Sequence, residues 1–473
     1  MPTTSSYVIS GTRFTIDSRY VAKHYIGRGS SGIVASATDT KGHLPVAIKK
    51  IANVLGSGTL QIKRTLREVR LLRHFKHENV MSLRDVMCDV TADSGLDLYV
   101  VTALMATSLD RVIRSSQPLT EAHVQYFTHQ LLNGVQYLHS NNVLHRDLKP
   151  SNLLVNENCD LKITDFGLAR GVDPADCLDC LTEYVVTRWY RAPEIVLCAQ
   201  SYTKAVDMWS VGCIVAELLL RRPLFRGSNP LHQLSTILEV LGSPHEAELR
   251  HVPPHAALYV GTLPCQPGQS LRSLLPAGTS EEAVALLSAL LVWRPAGRPS
   301  AEAALRHAFL DGLGEAVPAP TASISPFEIE KLLDGGDEPE ALAAALTREL
   351  CAMRPELALT LERRLAPRTT DSADAVPAAK PAYHSWPGNG GHKVDNPHRA
   401  AAAAAGAATG TWAGSSAWAR HGEAEAAKQQ ATDIAKKVAR MAESRQQGRA
   451  SIPGRVVRAT GSHSRVAWVS VEG

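Results

Sequence analysis

The sequence predicts an α+β fold made of a small, mainly β N-terminal lobe and a large, mainly α C-terminal lobe, followed by a disordered tail. Three observations lead to this prediction. In residues 20–102, apolar and polar residues alternate over several short segments, as they do in half-buried strands. After residue 108, apolar residues recur at three- and four-residue steps, which is typical of amphipathic helices. Beyond residue 366, alanine, proline, glycine and histidine dominate, a composition that does not bury a core.

Length and composition indicate how the chain is divided. A chain of 473 residues with 44% hydrophobic and 20% charged residues can bury a large core, which we place in residues 20–310. Residues 1–19 are rich in serine and threonine and are predicted to be flexible. Residues 367–473 are predicted to be a low-complexity, mostly disordered tail. Within it, residues 423–445 are a candidate for a marginal, solvated helix.

Charge, hydropathy and cysteine content exclude several classes of protein. The net charge of +4 is close to neutral for this size, and no stripe of arginines and aromatic residues indicates nucleic-acid binding. The longest nearly uncharged apolar stretch, residues 283–293, is too short to cross a bilayer. Eight scattered cysteines without a regular framework are typical of reduced thiols. We therefore expect a soluble intracellular protein that binds neither nucleic acid nor membrane.

A glycine-rich turn joins the first two strands of the N-terminal lobe. Residues 26–34 are Ile-Gly-Arg-Gly-Ser-Ser-Gly-Ile-Val, and an alternating strand follows. A G-x-G-x-x-G pattern is weak evidence by itself, because dinucleotide-binding folds use it to open a helix. Here a strand continues to Val46-Ala47-Ile48-Lys49 instead. The pattern therefore predicts a turn whose glycines let the backbone approach phosphates, with Lys49 supplying a positive charge.

Periodicity predicts three further elements around the junction of the lobes. Residues 65–74 carry one apolar face on an otherwise charged segment, which indicates an amphipathic helix. Residues 96–101 alternate as a strand does. Residues 121–139 repeat apolar side chains every three or four positions, and Thr120 before them is the predicted N-cap of a long helix.

The residues that carry chemistry are concentrated in two neighbouring segments. Residues 145–152 are His-Arg-Asp-Leu-Lys-Pro-Ser-Asn, and an Asp-Phe-Gly tripeptide begins at Asp165. Phosphoryl transfer needs a carboxylate to take the proton of the acceptor hydroxyl and oxygen ligands for Mg²⁺. Asp147 is the predicted base, and Lys149 is predicted to neutralise charge on the moving phosphoryl group. Asn152 and Asp165 are the predicted metal ligands.

These segments and the glycine-rich turn resemble the catalytic core of eukaryotic protein kinases, which use ATP and Mg²⁺. The resemblance implies that Glu68 pairs with Lys49 and that residues 103–107 form a hinge whose backbone binds adenine. Thr102 lies at the gatekeeper position, whereas Ser108 lies where related kinases often carry an aspartate that bonds the ribose. The implied nucleotide site consists of Ile26, Gly27, Arg28, Gly29, Gly32, Val34, Ala47, Lys49, Thr102, Ala103, Met105, Ser108 and Leu154.

Structural positions of the same family follow in order along the chain. The resemblance implies a buried ion pair between Glu194, of an Ala-Pro-Glu motif, and Arg298. It also implies that Asp207 braces the catalytic loop. The N-terminal lobe would then comprise residues 20–102 and the C-terminal lobe residues 108–310.

The segment between Asp-Phe-Gly and Ala-Pro-Glu indicates which branch of the protein kinases the chain resembles. Thr182-Glu183-Tyr184 resembles the dual phosphorylation motif of mitogen-activated protein kinases of the extracellular-signal-regulated type. A Pro-Phe pair at residues 326–327 resembles the start of that family's C-terminal extension, which would occupy residues 311–366 and pack on the kinase domain. The resemblance implies a kinase that phosphorylates serine or threonine followed by proline.

Regulation and partners follow from the same resemblance. It implies an upstream dual-specificity kinase, phosphatases and protein substrates with Ser/Thr-Pro sites, for a monomer that is cytoplasmic and enters the nucleus on activation. Each phosphate adds about −1.5 to −2 charges, so it orders a loop once arginines bind it. The candidate arginines are Arg67, Arg146 and Arg170 for phospho-Thr182, and Arg188 and Arg191 for phospho-Tyr184.

Two alternative functions agree less well with the sequence. A kinase-fold scaffold with little activity predicts the loss of Lys49, Asp147 or Asp165, and all three are present. A kinase of the cyclin-dependent type would carry a cyclin-binding signature in its helix and would lack the Thr-Glu-Tyr motif. We therefore favour an active kinase that is switched by phosphorylation of its loop.

Removal of the chain after residue 366 is expected to leave activity on a short Ser-Pro peptide unchanged, because the tail carries no kinase motif and little apolar periodicity. The measurement is kcat/KM of the full and the truncated chain at equal phosphorylation. Loss of most of the activity would show that the tail packs on the lobes instead.

Overall fold

The protein folds into a smaller lobe of strands with one long helix and a larger lobe of helices. The computed structural model describes residues 3–29, 32–91, 95–171, 187–197, 203–314, 338–358 and 361. Among these residues, no helix has the length and apolar composition that a bilayer span needs. The predicted α+β class, with strands mainly in the N-terminal lobe and helices mainly in the C-terminal lobe, is confirmed.

The N-terminus is an ordered hairpin, made of strands β1 (Thr4–Ile9) and β2 (Thr12–Asp17). The prediction of flexibility for residues 1–19 is therefore wrong for most of that segment. Phe14 is fully buried, and its ring centroid lies 5.8 Å from that of Tyr99. Burial of this apolar surface offsets the entropy cost of ordering the hairpin, a gain that the Ser/Thr-rich composition does not reveal.

An antiparallel sheet of five strands forms the body of the smaller lobe. The strands are β3 (Tyr20–Gly29), β4 (Gly32–Asp39), β5 (Leu44–Ile51), β6 (Leu83–Thr91) and β7 (Gly95–Ala103), and they pair in the order β3-β4-β5-β7-β6. Leu98 and Val100 of β7 belong to the main core, whereas Tyr99 and Val101 belong to a second core with the hairpin. Since successive side chains of a strand point to opposite faces, both faces of this sheet are covered.

Helix α1 (Thr59–His74) packs on the main-core face of the sheet through buried residues that include Leu66 and Val69. The helix begins before the predicted start at residue 65. Ile62, one turn before Leu66, is buried as well, so the apolar face is longer than the predicted one.

The larger lobe is helical and has two central helices. Its helices are α2 (Leu109–Arg114), α3 (Glu121–Ser140), α4 (Pro193–Val196), α5 (Ala205–Leu220), α6 (Pro230–Leu241), α7 (Pro254–Thr262), α8 (Leu271–Leu274), α9 (Glu281–Leu290) and α10 (Ala301–Leu305). Among the described helices of this lobe, α3 and α5 bury the most residues, thirteen each. The predicted long helix after Thr120 is observed as α3, and the Thr120 backbone N–H donates to His123 Nδ1 at 2.7 Å in a capping box.

Short strands hold the loops that carry the predicted chemistry. Strands β8 (Thr107–Ser108), β10 (Leu153–Val155) and β11 (Leu161–Ile163) form one small sheet, and β9 (Val143–Leu144) pairs with β12 (Arg170–Gly171). The catalytic loop lies between β9 and β10, and the Asp-Phe-Gly tripeptide lies between β11 and β12. Because β9 pairs with β12 and β10 pairs with β11, the two loops lie side by side.

The chain returns to the smaller lobe at its described C-terminal end. Helix α11 (Pro339–Met353) packs against α1 and buries Leu342, Leu346 and Leu350, which are spaced four residues apart and so share one face. The segment therefore covers a side of α1 that would otherwise face solvent.

Arg354 fastens the end of α11 to two strands. Its Nε donates to Asp85 Oδ1 at 2.9 Å, and its Nη1 lies 3.4 Å from Asp17 Oδ2. Only 13% of the Arg354 side chain is exposed. Burial alone would lower the pKa of Arg354, but its hydrogen bonds and charge attraction with Asp85 and Asp17 raise it. The guanidinium thus joins β2, β6 and α11.

Arg354→Ala is expected to lower the free energy of unfolding by about 1–3 kcal/mol, because Asp17 and Asp85 lose a cationic partner in a mostly buried position. Urea unfolding measures this difference. Arg348→Ala is the matched control, since Arg348 is an exposed arginine of the same helix. Equal losses in the two variants would contradict the role given to Arg354.

Candidate active site

The glycine-rich segment lies on the hairpin of β3 and β4, where Gly27 pairs with Val34 and Gly29 with Gly32. A Cβ atom at Gly27 would meet nothing within 4 Å, and at Gly29 the nearest atom would be 3.9 Å away. The backbone at both positions is thus open to an approaching ligand. Gly32 serves another purpose, because a Cβ atom there would lie 2.0 Å from the carbonyl oxygen of Lys50. Packing on β5 therefore requires this third glycine.

An ion pair joins β5 to α1. Lys49 Nζ lies 2.7 Å from Oε1 and 2.9 Å from Oε2 of Glu68, and the side chains are 16% and 8% exposed. Burial by itself lowers the pKa of Lys49, but the carboxylates of Glu68 and Asp165 outweigh it and raise that pKa. Burial raises the pKa of Glu68, and the charge of Lys49 opposes this shift. The ammonium group therefore stays charged at neutral pH, as a group that binds phosphate must.

Asp147 is held by two side chains of its own loop. Lys149 Nζ donates to Asp147 Oδ2 at 2.6 Å, and Asn152 Nδ2 donates to the same oxygen at 3.1 Å and to the Asp147 carbonyl oxygen at 2.9 Å. Burial raises the pKa of Asp147 above its ordinary value, although the charge of Lys149 opposes the shift. A raised pKa makes this carboxylate a better proton acceptor.

The backbone of the catalytic loop is fixed by Asp207 of α5. Asp207 Oδ2 accepts a hydrogen bond from His145 N at 2.9 Å, and Oδ1 accepts one from Arg146 N at 2.8 Å. Arg146 has a φ of 67°, in the left-handed region that non-glycine residues rarely adopt. Since such a conformation persists only where the surroundings hold it, the two hydrogen bonds stabilise the strained loop. The bracing role implied for Asp207 is confirmed.

The Asp-Phe-Gly tripeptide contacts both α1 and the catalytic loop. The buried Phe166 ring lies 5.0 Å from the Phe75 ring and 5.4 Å from the His145 ring, between centroids, and both contacts are edge-on. Arg67 Nη1 donates to the carbonyl oxygen of Gly167 at 2.9 Å. A displacement of the tripeptide would therefore disturb α1 and the catalytic loop together.

Two oxygen-bearing side chains are suited to a divalent metal. Asp165 lies close enough to influence the pKa of Lys49 and of Asp147. Asn152 uses its nitrogen to bind Asp147, which leaves its side-chain oxygen available. The described residues include no cluster of three or more metal-ligating side chains. This donor set fits Mg²⁺, which binds through one or two protein groups together with substrate phosphates.

The predicted adenine and ribose positions meet where the lobes join. Ala47 pairs with Thr102 across β5 and β7, and Ser108 pairs with Leu154 across β8 and β10. Ser108 and Leu154 are half-buried, and Met105 is buried. The other predicted nucleotide residues lie on β3, β4 and β7, and they are Ile26, Arg28, Val34 and Ala103.

The predicted phosphorylation sites, Thr182 and Tyr184, lie outside the described residues. The arginines predicted to bind their phosphates belong to α1, the catalytic loop, β12 and the turn before α4, and they are Arg67, Arg146, Arg170, Arg188 and Arg191. Arg170 pairs with Leu144 at the base of the catalytic loop. The structure thus places three of the five arginines on the segments that also position Lys49 and Asp147.

The ion pair implied between Glu194 and Arg298 is confirmed. Arg298 Nη1 and Nη2 donate to Glu194 Oε1 and Oε2 at 2.6 and 2.8 Å, and both side chains are almost fully buried. This bidentate geometry fixes α4, which follows the segment that carries Thr182 and Tyr184.

Sequence motifs did not indicate Glu349 of α11, which binds α1 from outside. Glu349 Oε1 accepts a hydrogen bond from Arg73 Nη1 at 2.7 Å, and Oε2 accepts one from Arg70 Nε at 3.3 Å. An α-helix has about 3.6 residues per turn, so Arg70, two residues after Glu68, lies on nearly the opposite side of α1. Lys49 therefore holds one side of α1 while Glu349 holds the other. The arginine spacing on α1 was the signal for an acidic partner, but it did not show where in the chain that partner lies.

Comparison with known proteins agrees with this geometry. The family model of the protein kinase domain matches residues 20–310. Mitogen-activated protein kinase 4 of Oryza sativa subsp. japonica is 50% identical over 308 residues, which are 65% of this chain and 82% of the relative. Mitogen-activated protein kinase 4a of Physcomitrium patens is 48% identical over 326 residues, 68% of this chain and 85% of the relative. Mitogen-activated protein kinase 6 of Arabidopsis thaliana is 44% identical over 351 residues, 74% and 87% respectively.

Glu349→Lys is expected to lower kcat for phosphoryl transfer about three- to thirtyfold, because two arginines of α1 would be repelled and Glu68 would lose its position beside Lys49. The measurement compares kcat and the KM for nucleotide at equal phosphorylation. Glu340→Lys, at an exposed position of the same helix, is the matched control.

A charge-reversed double variant distinguishes the loss of α1 positioning from a loss of folding as the cause of the lower kcat. Adding Arg73→Glu to Glu349→Lys restores one ion pair, and part of the lost kcat should return. If Glu349→Lys is as active as Glu340→Lys, the ion pairs do not position α1.

Proposed function

The chain belongs to the mitogen-activated protein kinases, which are serine/threonine protein kinases, and from this premise we propose that it uses ATP and Mg²⁺ to phosphorylate serine or threonine residues that precede proline. Protein kinases use a nucleoside triphosphate and a divalent metal. The choice of ATP and Mg²⁺ is supported by the nucleotide positions along the hinge and by the oxygen donors of Asn152 and Asp165.

One observation carries the proposal: the Asp147 side chain is only 11% exposed, its pKa is raised by burial, and Lys149 Nζ donates to it at 2.6 Å. A carboxylate in this state can accept a proton and is held in one orientation. Lys49 is charged and is held by Glu68. Asp165 is close enough to both Lys49 and Asp147 to influence their pKa values, so Lys49 lies near the same site. These groups match the needs of phosphoryl transfer, in which positioning and charge stabilisation supply most of the rate enhancement.

In the proposed mechanism, Asp147 accepts the proton of the substrate hydroxyl as the hydroxyl oxygen attacks the γ-phosphorus of ATP. The bond between the γ-phosphorus and the β–γ bridging oxygen breaks, and ADP leaves with that oxygen. Lys149 donates a hydrogen bond to the Asp147 carboxylate and neutralises negative charge on the phosphoryl group as it is transferred. Lys49 binds the nucleotide phosphates, and Glu68 holds Lys49 in place. Asn152 and Asp165 would hold Mg²⁺, which would offset the negative charge of the phosphates.

Phosphorylation of Thr182 and Tyr184 is the proposed switch. The arginines that would bind phospho-Thr182 lie on α1 (Arg67), in the catalytic loop (Arg146) and on β12, which pairs with β9 at the base of that loop (Arg170). A phosphate on Thr182 would bind them with charge-assisted hydrogen bonds and order the loop. Because Arg67 lies on α1 one residue before Glu68, the phosphate would also hold the Glu68–Lys49 pair.

The proposed partners are an upstream dual-specificity kinase, phosphatases and protein substrates with Ser/Thr-Pro sites. Interaction with an upstream kinase and with substrates follows from family membership, whereas the types of partner are part of the proposal. We propose that the protein is a monomer, that it resides in the cytoplasm and that it enters the nucleus on activation. The five described cysteines, none of which forms a disulfide, support only the intracellular part of this proposal.

A peptide assay tests the proposed reaction. The phosphorylated protein should phosphorylate a Ser-Pro peptide and not its Ser-Ala counterpart. Asp147→Asn should lower kcat by about 10²- to 10⁴-fold, because the base is removed. The KM for ATP should change little, since Lys49 and Glu68 are retained. Equal rates on both peptides would reject the proline requirement, and full activity of Asp147→Asn would reject Asp147 as the base.

Thr182→Ala combined with Tyr184→Phe is expected to reduce activity by orders of magnitude after treatment with an activating kinase, because the arginines would find no phosphate to bind. Wild-type protein treated with phosphatase is the control and should be equally inactive. Full activity of the double variant, measured as kcat on the Ser-Pro peptide, would refute the switch.

A further inference from the structure

A cavity with a volume of about 480 Å³ opens on the larger lobe. Its lining residues are Thr203, Ala247, Arg250, His251, Arg294, Pro295 and Ala296. None of them belongs to the predicted catalytic, nucleotide, metal or phosphate positions. The volume falls within the range of about 300–1,000 Å³ that is typical of small-molecule sites.

Two arginines bring positive charge to this cavity from separate loops. Arg250 follows the turn after α6, and Arg294 follows α9. In the part of the chain that the structure describes, neither guanidinium forms an ion pair with a carboxylate, and no acidic residue lines the cavity. Two cations that share a concave surface repel each other and attract an anion.

Arg298 shows how another arginine of the same loop is neutralised. It is almost fully buried and makes a bidentate ion pair with Glu194. Arg294, four residues earlier, is exposed and lines the cavity instead. The charge of Arg294 is therefore available to a ligand, whereas that of Arg298 serves the fold.

His251 supplies a further polar group to the cavity wall. Burial lowers the pKa of His251; Glu194 and a hydrogen bond with the Glu248 backbone oppose this shift, and Arg298 and Arg294 add to it. The imidazole is therefore mostly neutral at pH 7 and can donate one hydrogen bond to an anion.

Apart from Thr203, the remaining lining residues of the cavity are apolar. Ala247, Pro295 and Ala296 offer a surface of carbon atoms beside the charged groups. We propose that the cavity binds a small phosphate monoester with a compact apolar group. The guanidinium groups of Arg250 and Arg294 match the charge of about −1.5 to −2 on such a phosphate, and the apolar wall contacts the organic group.

Phenyl phosphate is the probe for this site. It is titrated by calorimetry into the full, doubly phosphorylated chain, with the nucleotide site saturated by Mg²⁺ and a non-hydrolysable ATP analogue. Arg250→Ala and Arg294→Ala should each weaken binding about tenfold, because each removes one charge-assisted contact. Arg222→Ala is the matched control, since Arg222 is exposed on the same lobe and does not line the cavity.

A further variant tests whether the ligand needs the open volume of the cavity, independently of the charge of its arginines. Ala247→Trp should fill the cavity and also weaken binding at least tenfold, although both arginines are retained. Binding of phenyl phosphate that is unchanged in Arg250→Ala, Arg294→Ala and Ala247→Trp would overturn the proposal. Equally tight binding of inorganic phosphate would reject the role of the apolar wall, and equally tight binding of benzoate would reject the preference for phosphate. Because the readout is binding, these outcomes do not depend on the proline requirement or on the base.

Discussion

The Lys49 ammonium and the Glu68 carboxylate are buried together between the sheet and α1, 2.7 Å apart. Removing either partner would leave an uncompensated charge in a low-dielectric environment, at a cost of several kcal/mol. The pair therefore requires that β5 and α1 keep their relative positions. Much of the smaller lobe meets this requirement, since α1 packs on the sheet, contacts the tripeptide through Arg67 and is bound from outside by Glu349.

The larger lobe fixes Asp147 by separate means. Asp207 accepts hydrogen bonds from the consecutive backbone N–H groups of His145 and Arg146, and Arg146, with its left-handed φ, immediately precedes Asp147. The two halves of the site are joined by the Asp-Phe-Gly tripeptide, where Phe166 contacts rings from both lobes. Because these contacts are shared, a change at the tripeptide would reach Lys49 and Asp147 together.

Charge has different functions in different parts of the molecule. Arg298 and Arg354 neutralise carboxylates within the fold, and both act at mostly buried positions. A second group, Arg67, Arg146, Arg170, Arg188 and Arg191, is proposed to bind the phosphates that modification of Thr182 and Tyr184 would add. Arg250 and Arg294 form a third group, whose charge faces an open cavity. The near-neutral net charge of +4 therefore conceals local concentrations of positive charge.

The catalytic loop could be predicted from local spacing alone, because Asp147, Lys149 and Asn152 lie within six positions and the chain keeps them close. Resemblance to the kinases supplied the longer-range pairs, such as Lys49 with Glu68. Composition misjudged the N-terminal hairpin, whose residue Thr15 bonds to Tyr99 across 84 positions.

Only the tertiary structure revealed contacts without a family motif. Glu349 reaches Arg73 across 276 positions, and Arg250 meets Arg294 at one cavity. Gly32 was predicted to line the nucleotide site, and the structure adds that the backbone of β5 leaves no room for a Cβ atom there. Local spacing specifies which atoms can meet along a few residues, whereas contacts between distant segments depend on how complete elements pack, and a single sequence does not encode that packing in a readable pattern.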